Sequence, residues 1–231
     1  MAMSDAELEA LSHAKFWDER YAAEKEAAAK KDTASPNDVP ESAENAPSEE
    51  LGTFEWFRSF SDLQPFFSAH LPSPATNPSI LHLGCGNSSL TSDLWHIGYR
   101  NQTSVDFSQI VIDAMSKKYQ NLGQQWAVED VRNLTLESGS VDVAIDKGTL
   151  DAMIHGSPWD PPEDVVDNIS RYNGEVARVL RPGGRWLYIT YRQPHFMRRH
   201  LEREGTWEVK MEVLGGEGGG FEYFGWVLTR L

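Results

Sequence analysis

The chain has 231 residues, 40% of them apolar with eight Trp and ten Phe, enough for one core of ordinary size and not for two. A formal net charge of −14 excludes a footprint built for nucleic-acid phosphates, which is basic. One cysteine excludes an intramolecular disulfide, no stretch approaches the ~20 apolar residues of a membrane span, and the charged N-terminus has no secretory apolar core.

These bounds predict a soluble, cytoplasmic monomer without membrane or direct nucleic-acid contact. In chain order, residues 8–31 read as helical, with Leu8, Leu11, Phe16 and Tyr21 at loose helical spacing ahead of "AAEKEAAAKK". Residues 22–50 form an acidic insertion, with eight Asp/Glu against three Lys. From Asp32 to Glu50 its Pro, Ser, Asn, Ala and Glu content cannot offset the entropy of ordering, which predicts flexibility. Residues 1–50 are thus expected to be an N-terminal lid helix plus insertion, and 51–231 the main domain.

From Leu51 the pattern alternates. Strands are expected at 80–83, 103–105, 125–128, 141–145 and 186–190, with helices at 88–97, 108–119 and 165–180. The "RPGG" at 181–184 is expected to end the last of these helices. Two strand-like runs, "TWEVKMEVL" and "FEYFGWVLTR", are joined by "GGEGGG" with no room for a crossover helix, so they predict an antiparallel hairpin. The expected architecture is α/β: a Rossmann-like, doubly wound seven-stranded sheet, mostly parallel with an antiparallel C-terminal hairpin, and helices on both faces.

The stretch "SILHLGCGNSSL" carries the chemistry. A buried strand running into Gly84-Cys85-Gly86 at the mouth of a helix predicts a backbone that approaches a ligand, with Asn87 or Ser88 capping the helix. Asp106 follows twenty residues beyond Gly86, at the end of the next strand, where a carboxylate accepts from ribose hydroxyls. Ser108 reads as a helix cap. In "EDVRNL", Asp130 is placed to bond an adenine amino group and Val131 to pack on the ring. Ser89 stands at the third position of the dinucleotide fingerprint and leaves the cofactor class open.

The segments "FWDERY", "FEWFRSF", "LGCGNSSL", "TSVDFSQIVIDAM", "DVRNL", "DKGTLDA", "EVARVLRPGGR" and "PHFMRRH" decide between classes. Together they resemble the class I, seven-β-strand S-adenosylmethionine-dependent methyltransferases that modify lysine on eukaryotic translation elongation factor 1-alpha. The branch resembled is the one historically found fused to endothelin-converting enzyme 2. The resemblance spans roughly Phe16 to Arg199, interrupted by the acidic insertion. It implies S-adenosyl-L-methionine as donor, S-adenosyl-L-homocysteine as product and elongation factor 1-alpha as partner. By the same resemblance Trp17, Tyr21 and Trp56 contact the cofactor as a folded-over lid, and Gly84 and Gly86 belong to the glycine loop. Asp106 and Phe107 then serve the ribose and adenine edge, Asp130 and Val131 the adenine pocket, and Lys147 the methionine side. The stretch Asp146 to Asp151 is implicated in activity.

Methyl transfer from a sulfonium is an in-line displacement, so the enzyme's main task is alignment in a dry site. A lysine acceptor, with a pKa near ~10.4 in water, must first lose a proton. Asp146, Lys147 and Asp151 are the candidate catalytic residues. The two carboxylates are expected to orient the incoming ammonium, with Trp159 and Tyr191 as walls that desolvate it. Pairing of Asp146 with Lys147 alone is the competing reading. His195 reads as a surface histidine at a helix start, with proton acceptance as the alternative, and Arg192, Arg198, Arg199 and Arg203 read as a solvated helix face. With one cysteine and no metal-ligand histidine spacing, no metal site is expected. A small-molecule methyltransferase and a non-catalytic cofactor-binding module remain alternatives.

Overall fold

A computed structural model describes residues 4–32, 51–215 and 221–231. The N-terminal helix is two helices, α1 (Asp5–Ala10) and α2 (Ala14–Asp32). Ser4 opens α1 with a capping box to Glu7, and the Ser12 hydroxyl donates to Glu9 O at 2.8 Å, a local bond that competes with helix continuation between them. Helix α2 carries residues 22–32 of the acidic insertion, so the insertion does not begin as a loop at 22. The flexibility expected farther on falls at 33–50, outside the described residues.

The remaining elements are α3 (Phe60–His70), β1 (Ile80–Leu83), α4 (Leu90–His96), β2 (Gln102–Asp106), α5 (Gln109–Lys118), β3 (Gln125–Val128), β4 (Val141–Lys147), α6 (Thr149–Ala152), α7 (Glu163–Val179), β5 (Leu180–Thr190), α8 (Pro194–Leu201), β6 (Trp207–Leu214) and β7 (Tyr223–Arg230). The sheet order is β3-β2-β1-β4-β5-β7-β6, and only β7 runs against the others. Strand alternation divides the core between two faces. Ile80, Val143, Ile145, Leu187 and Ile189 pack under α3 and α4, whereas Leu81, Ala144, Trp186 and Tyr188 meet Val165, Ile169, Tyr172 and Val176 of α7. A third cluster joins Trp17, Tyr21 and Leu51 to Val111, Ile112 and Met115 of α5, which fixes the N-terminal segment on the main domain.

The "RPGG" expectation is corrected. Helix α7 already ends at Val179, where Val176 O accepts from the extended Leu180, and β5 runs through 181–184 with a register shift opposite Val141/Val143. Gly183 supplies φ +78°, and a Cβ at Gly184 would lie 2.8 Å from Arg181 O, so these glycines build a strand irregularity instead of a helix stop.

Candidate functional site

Strand order reverses beside β1, and there the carboxyl ends of β1, β2 and β4 open into a cavity of about 180 Å³. Gly84 and Gly86 line it with φ of +61° and +51°, in the left-handed region. What crowds these glycines is the protein itself. A Cβ on Gly84 would lie 2.2 Å from Thr149 Oγ1, and one on Gly86 would lie 3.0 Å from the Tyr21 hydroxyl. The Thr149 hydroxyl donates to Leu83 O at 2.7 Å, so the glycine loop is locked to the turn after β4. The capping expectation is corrected: the N-cap of α4 is Ser89, without a side-chain cap bond, while Ser88 Oγ accepts from Leu90 N at 3.2 Å and the Asn87 amide donates to Gly52 O at 2.8 Å and holds the N-terminal segment.

Asp106 ends β2 at the cavity wall. Its carboxylate accepts from Gly86 N and Ser108 N, each at 3.0 Å, and so binds the two loops together. Burial pushes its pKa up to about 6, against those two bonds. Ser108 caps α5, accepting from Val111 N. Phe107 and Val131 line the cavity beside it. Asp130 lines it too, but Oδ1 accepts from Arg132 N and Nε, and Oδ2 from Arg132 Nε and the terminal guanidinium nitrogen. Three N–H groups of Arg132, with Nε shared by both oxygens, thus hold Asp130 and shape its loop, while its carboxylate stays at the cavity wall. Burial opposes its charge, and the bonds from Arg132 outweigh burial and hold its pKa below the ordinary value.

Trp17, Tyr21 and Trp56 all reach the cavity as an aromatic cover. Trp17 Nε1 donates to Leu11 O at 2.7 Å, and its ring meets Trp56 at 6.0 Å, edge to face. The Arg20 guanidinium lies 5.5 Å from Trp17, 5.6 Å from Phe54 and 5.1 Å from Trp56. Burial and the neighbouring Asp106 push the Tyr21 phenol well up, so it stays protonated. Residues 51–58 cross the cavity as a strap pinned by Lys147, which pairs with Glu55 at 2.9 Å and donates to Trp56 O at 2.9 Å. Glu55 in turn accepts from Ser89 N at 2.6 Å and from the Ser88 hydroxyl at the start of α4. Burial lowers the Lys147 pKa, with Glu55 acting the other way.

The competing Asp146–Lys147 pair is therefore not formed, since Lys147 is paired with Glu55. Asp146 is fully buried and does not line the cavity. It accepts from Thr149 N at 2.8 Å, Leu150 N at 3.1 Å and the Tyr172 hydroxyl at 2.8 Å, so it positions the α6 turn from behind. Asp151 does line the cavity; Tyr188 and Thr190 donate to it at 2.7 and 2.6 Å, and Arg192 lies 3.5 Å away. Tyr191 lines it as well. Trp159 does not, because it is 74% exposed and packs on Phe196 at 4.8 Å. His195 is on the surface beside that pair. Arg198 and Arg199 are exposed, but Arg192 is in the cavity wall, where it donates to Ile154 O at 2.7 Å. Among the described residues no three metal-ligating side chains converge.

The Asp146 environment has a pH signature. Burial, then Asp151, pushes its pKa up from 3.8 to about 7. Between those values the folded chain keeps a proton that the unfolded chain has lost. The contribution is fully present below the unfolded pKa and is lost as pH rises through the folded one. His82 acts in the opposite sense, since burial lowers its pKa from 6.5 to about 4. Unfolding of Asp146→Asn against wild type between pH 5.5 and 7.5 isolates the first effect: wild type gains roughly 2 kcal/mol more on acidification. Parallel curves would refute the assignment.

Sequence reasoning missed Glu55, Arg20, Phe57 and Arg192. Glu55 carried a weak signal, as the lone acid in an aromatic run, "FEWF"; the places of Phe57 and Arg192 at the cavity, and of Arg20 against Trp56, depend on how the strap and the wall pack in space.

Residues 81–188 match the methyltransferase domain family. The chain is 33% identical to EEF1A lysine methyltransferase 4 of Bos taurus over 221 residues, 93% of this chain and 74% of that protein. It is 41% identical to EEF1A lysine methyltransferase 4 of Mus musculus over 152 residues, 64% of this chain and 58% of that protein, so it spans under two thirds of the mouse relative. A SAM-dependent methyltransferase from Methanosarcina mazei shares the fold, with a TM-score of 0.54, 19% identity, and coverage of 72% of this chain and 97% of that one. With the glycine loop, the acid ending β2 and the seven-stranded order converging on one cavity, the chain belongs to the methyltransferase family that includes the EEF1A lysine methyltransferase 4 proteins.

Proposed function

We propose that this chain is an S-adenosylmethionine-dependent protein-lysine N-methyltransferase that acts, as a cytoplasmic monomer, on translation elongation factor 1-alpha. The observation that carries the reading is the cavity itself, where Asp106, the Gly84–Gly86 backbone and an aromatic cover meet the turn after β4. The names of the relatives supply the acceptor class. No helix among the described residues is long and apolar enough to cross a membrane, which agrees with a soluble partner.

The residues fit such a donor. Each Asp106 oxygen accepts one amide and keeps a lone pair for a ribose hydroxyl. Phe107 and Val131 offer apolar flanks for a base. Lys147 uses two of its three donors on the strap and retains one for the methionine end. When bound, the donor supplies an electrophilic methyl on a sulfonium. Trp17, Tyr21 and Trp56 exclude water, and the strap between Glu55 and Lys147 keeps the cover closed. Of the two carboxylates expected to orient the ammonium, Asp151, held by Tyr188, Thr190 and Arg192, is the one at the cavity wall. Within residues 1–50 we assign helices α1 and α2 to the cover, which the strap at the start of the main domain, 51–231, completes.

The test is to incubate the protein with labelled donor and purified elongation factor 1-alpha, then locate the label by mass spectrometry. Label on one lysine is expected. Label confined to small molecules would indicate a small-molecule acceptor, and no turnover despite donor binding would indicate a non-catalytic module.

A further inference from the structure

Phe57 has a backbone conformation that its side chain disfavours. Its φ is +65°, and across it Arg58 N donates to Trp56 O at 2.8 Å, closing a three-residue γ-turn. A bulky residue with positive φ is an outlier, and glycine would take the same backbone without strain. The turn is nonetheless held, because Lys147 donates to the same Trp56 carbonyl at 2.9 Å. What the strain secures is the position of the ring. That ring is only half-buried at the edge of the core, so filling the interior does not account for it.

The ring is at the cavity wall against Gly148, where a Cβ would come within 3.0 Å of it. It meets Tyr191 at 5.4 Å and Tyr223 at 5.7 Å. Phe221, 64% exposed, meets Tyr191 at 6.2 Å and Tyr223 at 5.6 Å. Four rings thus run from the cavity to the surface. On the outer side the Arg58 guanidinium lies 4.8 Å from the Tyr223 ring. Aromatic walls strip water from an incoming ammonium and so favour its neutral form, while the attraction of their faces for the cation offsets part of that effect.

Building on the proposed function, we propose that Phe57 and Tyr191 are the inner walls of the acceptor passage, and that Phe57 determines specificity for an unbranched lysine side chain. Tyr223 and Phe221 form its outer lip.

The test compares Phe57→Gly and Phe57→Ala with wild type in three measurements: melting temperature, S-adenosylhomocysteine affinity by calorimetry, and kcat/KM toward elongation factor 1-alpha. Phe57→Gly is expected to melt no lower than Phe57→Ala, since only glycine relieves the strain. Its product affinity should stay within about twofold of wild type, while acceptor kcat/KM falls at least about tenfold. Three results would overturn the inference: unchanged acceptor kcat/KM, product affinity falling in parallel with it, or collapse of the Phe57→Gly fold. Wild type inactive on elongation factor 1-alpha would instead overturn the substrate reading, and this inference with it.

Discussion

Lys147→Met should lower stability by about 3 kcal/mol, the cost of stranding one member of a buried ion pair. In a domain of this size that corresponds to roughly 6–12 °C in Tm. The loss has two parts. Glu55, half-buried and held charged by Lys147 and Ser89, is left without its cation, and Trp56 O loses its ammonium donor. Both effects release the strap that covers the cavity, so product affinity should fall with stability. The control is the double variant Glu55→Gln/Lys147→Met, which removes both charges and should recover at least about half of the loss. Strictly additive losses would show that the aromatic contacts alone hold the strap.

Gly84→Ala should be as damaging through a different cause. The new methyl would lie 2.2 Å from Thr149 Oγ1 and 2.7 Å from its Cγ2, and the backbone would keep φ at +61°. Overpacking costs about 1–3 kcal/mol and the left-handed backbone about 1–2 kcal/mol, so a loss of roughly 2–5 kcal/mol is expected. Thr149 can retreat only by giving up its bond to Leu83 O, which would disconnect the loop after β1 from the turn after β4. Thr149→Ala in the Gly84→Ala background should restore part of the stability by removing the hydroxyl and methyl. It should not restore all of it, because the φ penalty remains. Denaturant unfolding of wild type and the two variants checks this, and no recovery in the double variant would place the cost in the backbone alone.

Several features were legible in the sequence because they depend on neighbours along the chain. The strands at Ile80–Leu83 and Val141–Ile145, the helix over α7 and the glycine-linked hairpin are local patterns, and each forms as expected, although Val166, expected on the buried stripe of α7 with Ile169, Val176 and Val179, is 47% exposed and Val165 is buried in its place. The Gly84–Gly86 loop and Asp106 are likewise fixed by their places at two strand ends. The single-helix reading of 8–31 erred because a serine hydroxyl outcompeted propensity at one turn.

Charge partners were not legible in this way. Asp146 and Asp151 are five residues apart and look equivalent, yet one strand and one helical turn place the first behind the wall and the second in it. Lys147 pairs with Glu55, 92 positions earlier, instead of its adjacent acid. Asp130 is occupied by Arg132, a neighbour whose reach depends on the loop's conformation. The sequence by itself determined the succession of strands, the sheet and the loop that faces the cavity, since periodicity and glycine placement act over a few residues. Which carboxylates face the cavity, what crowds the glycines and which ring is strained were decided only when the strap and the turn after β4 packed together, because desolvation and ion pairing depend on distances in space.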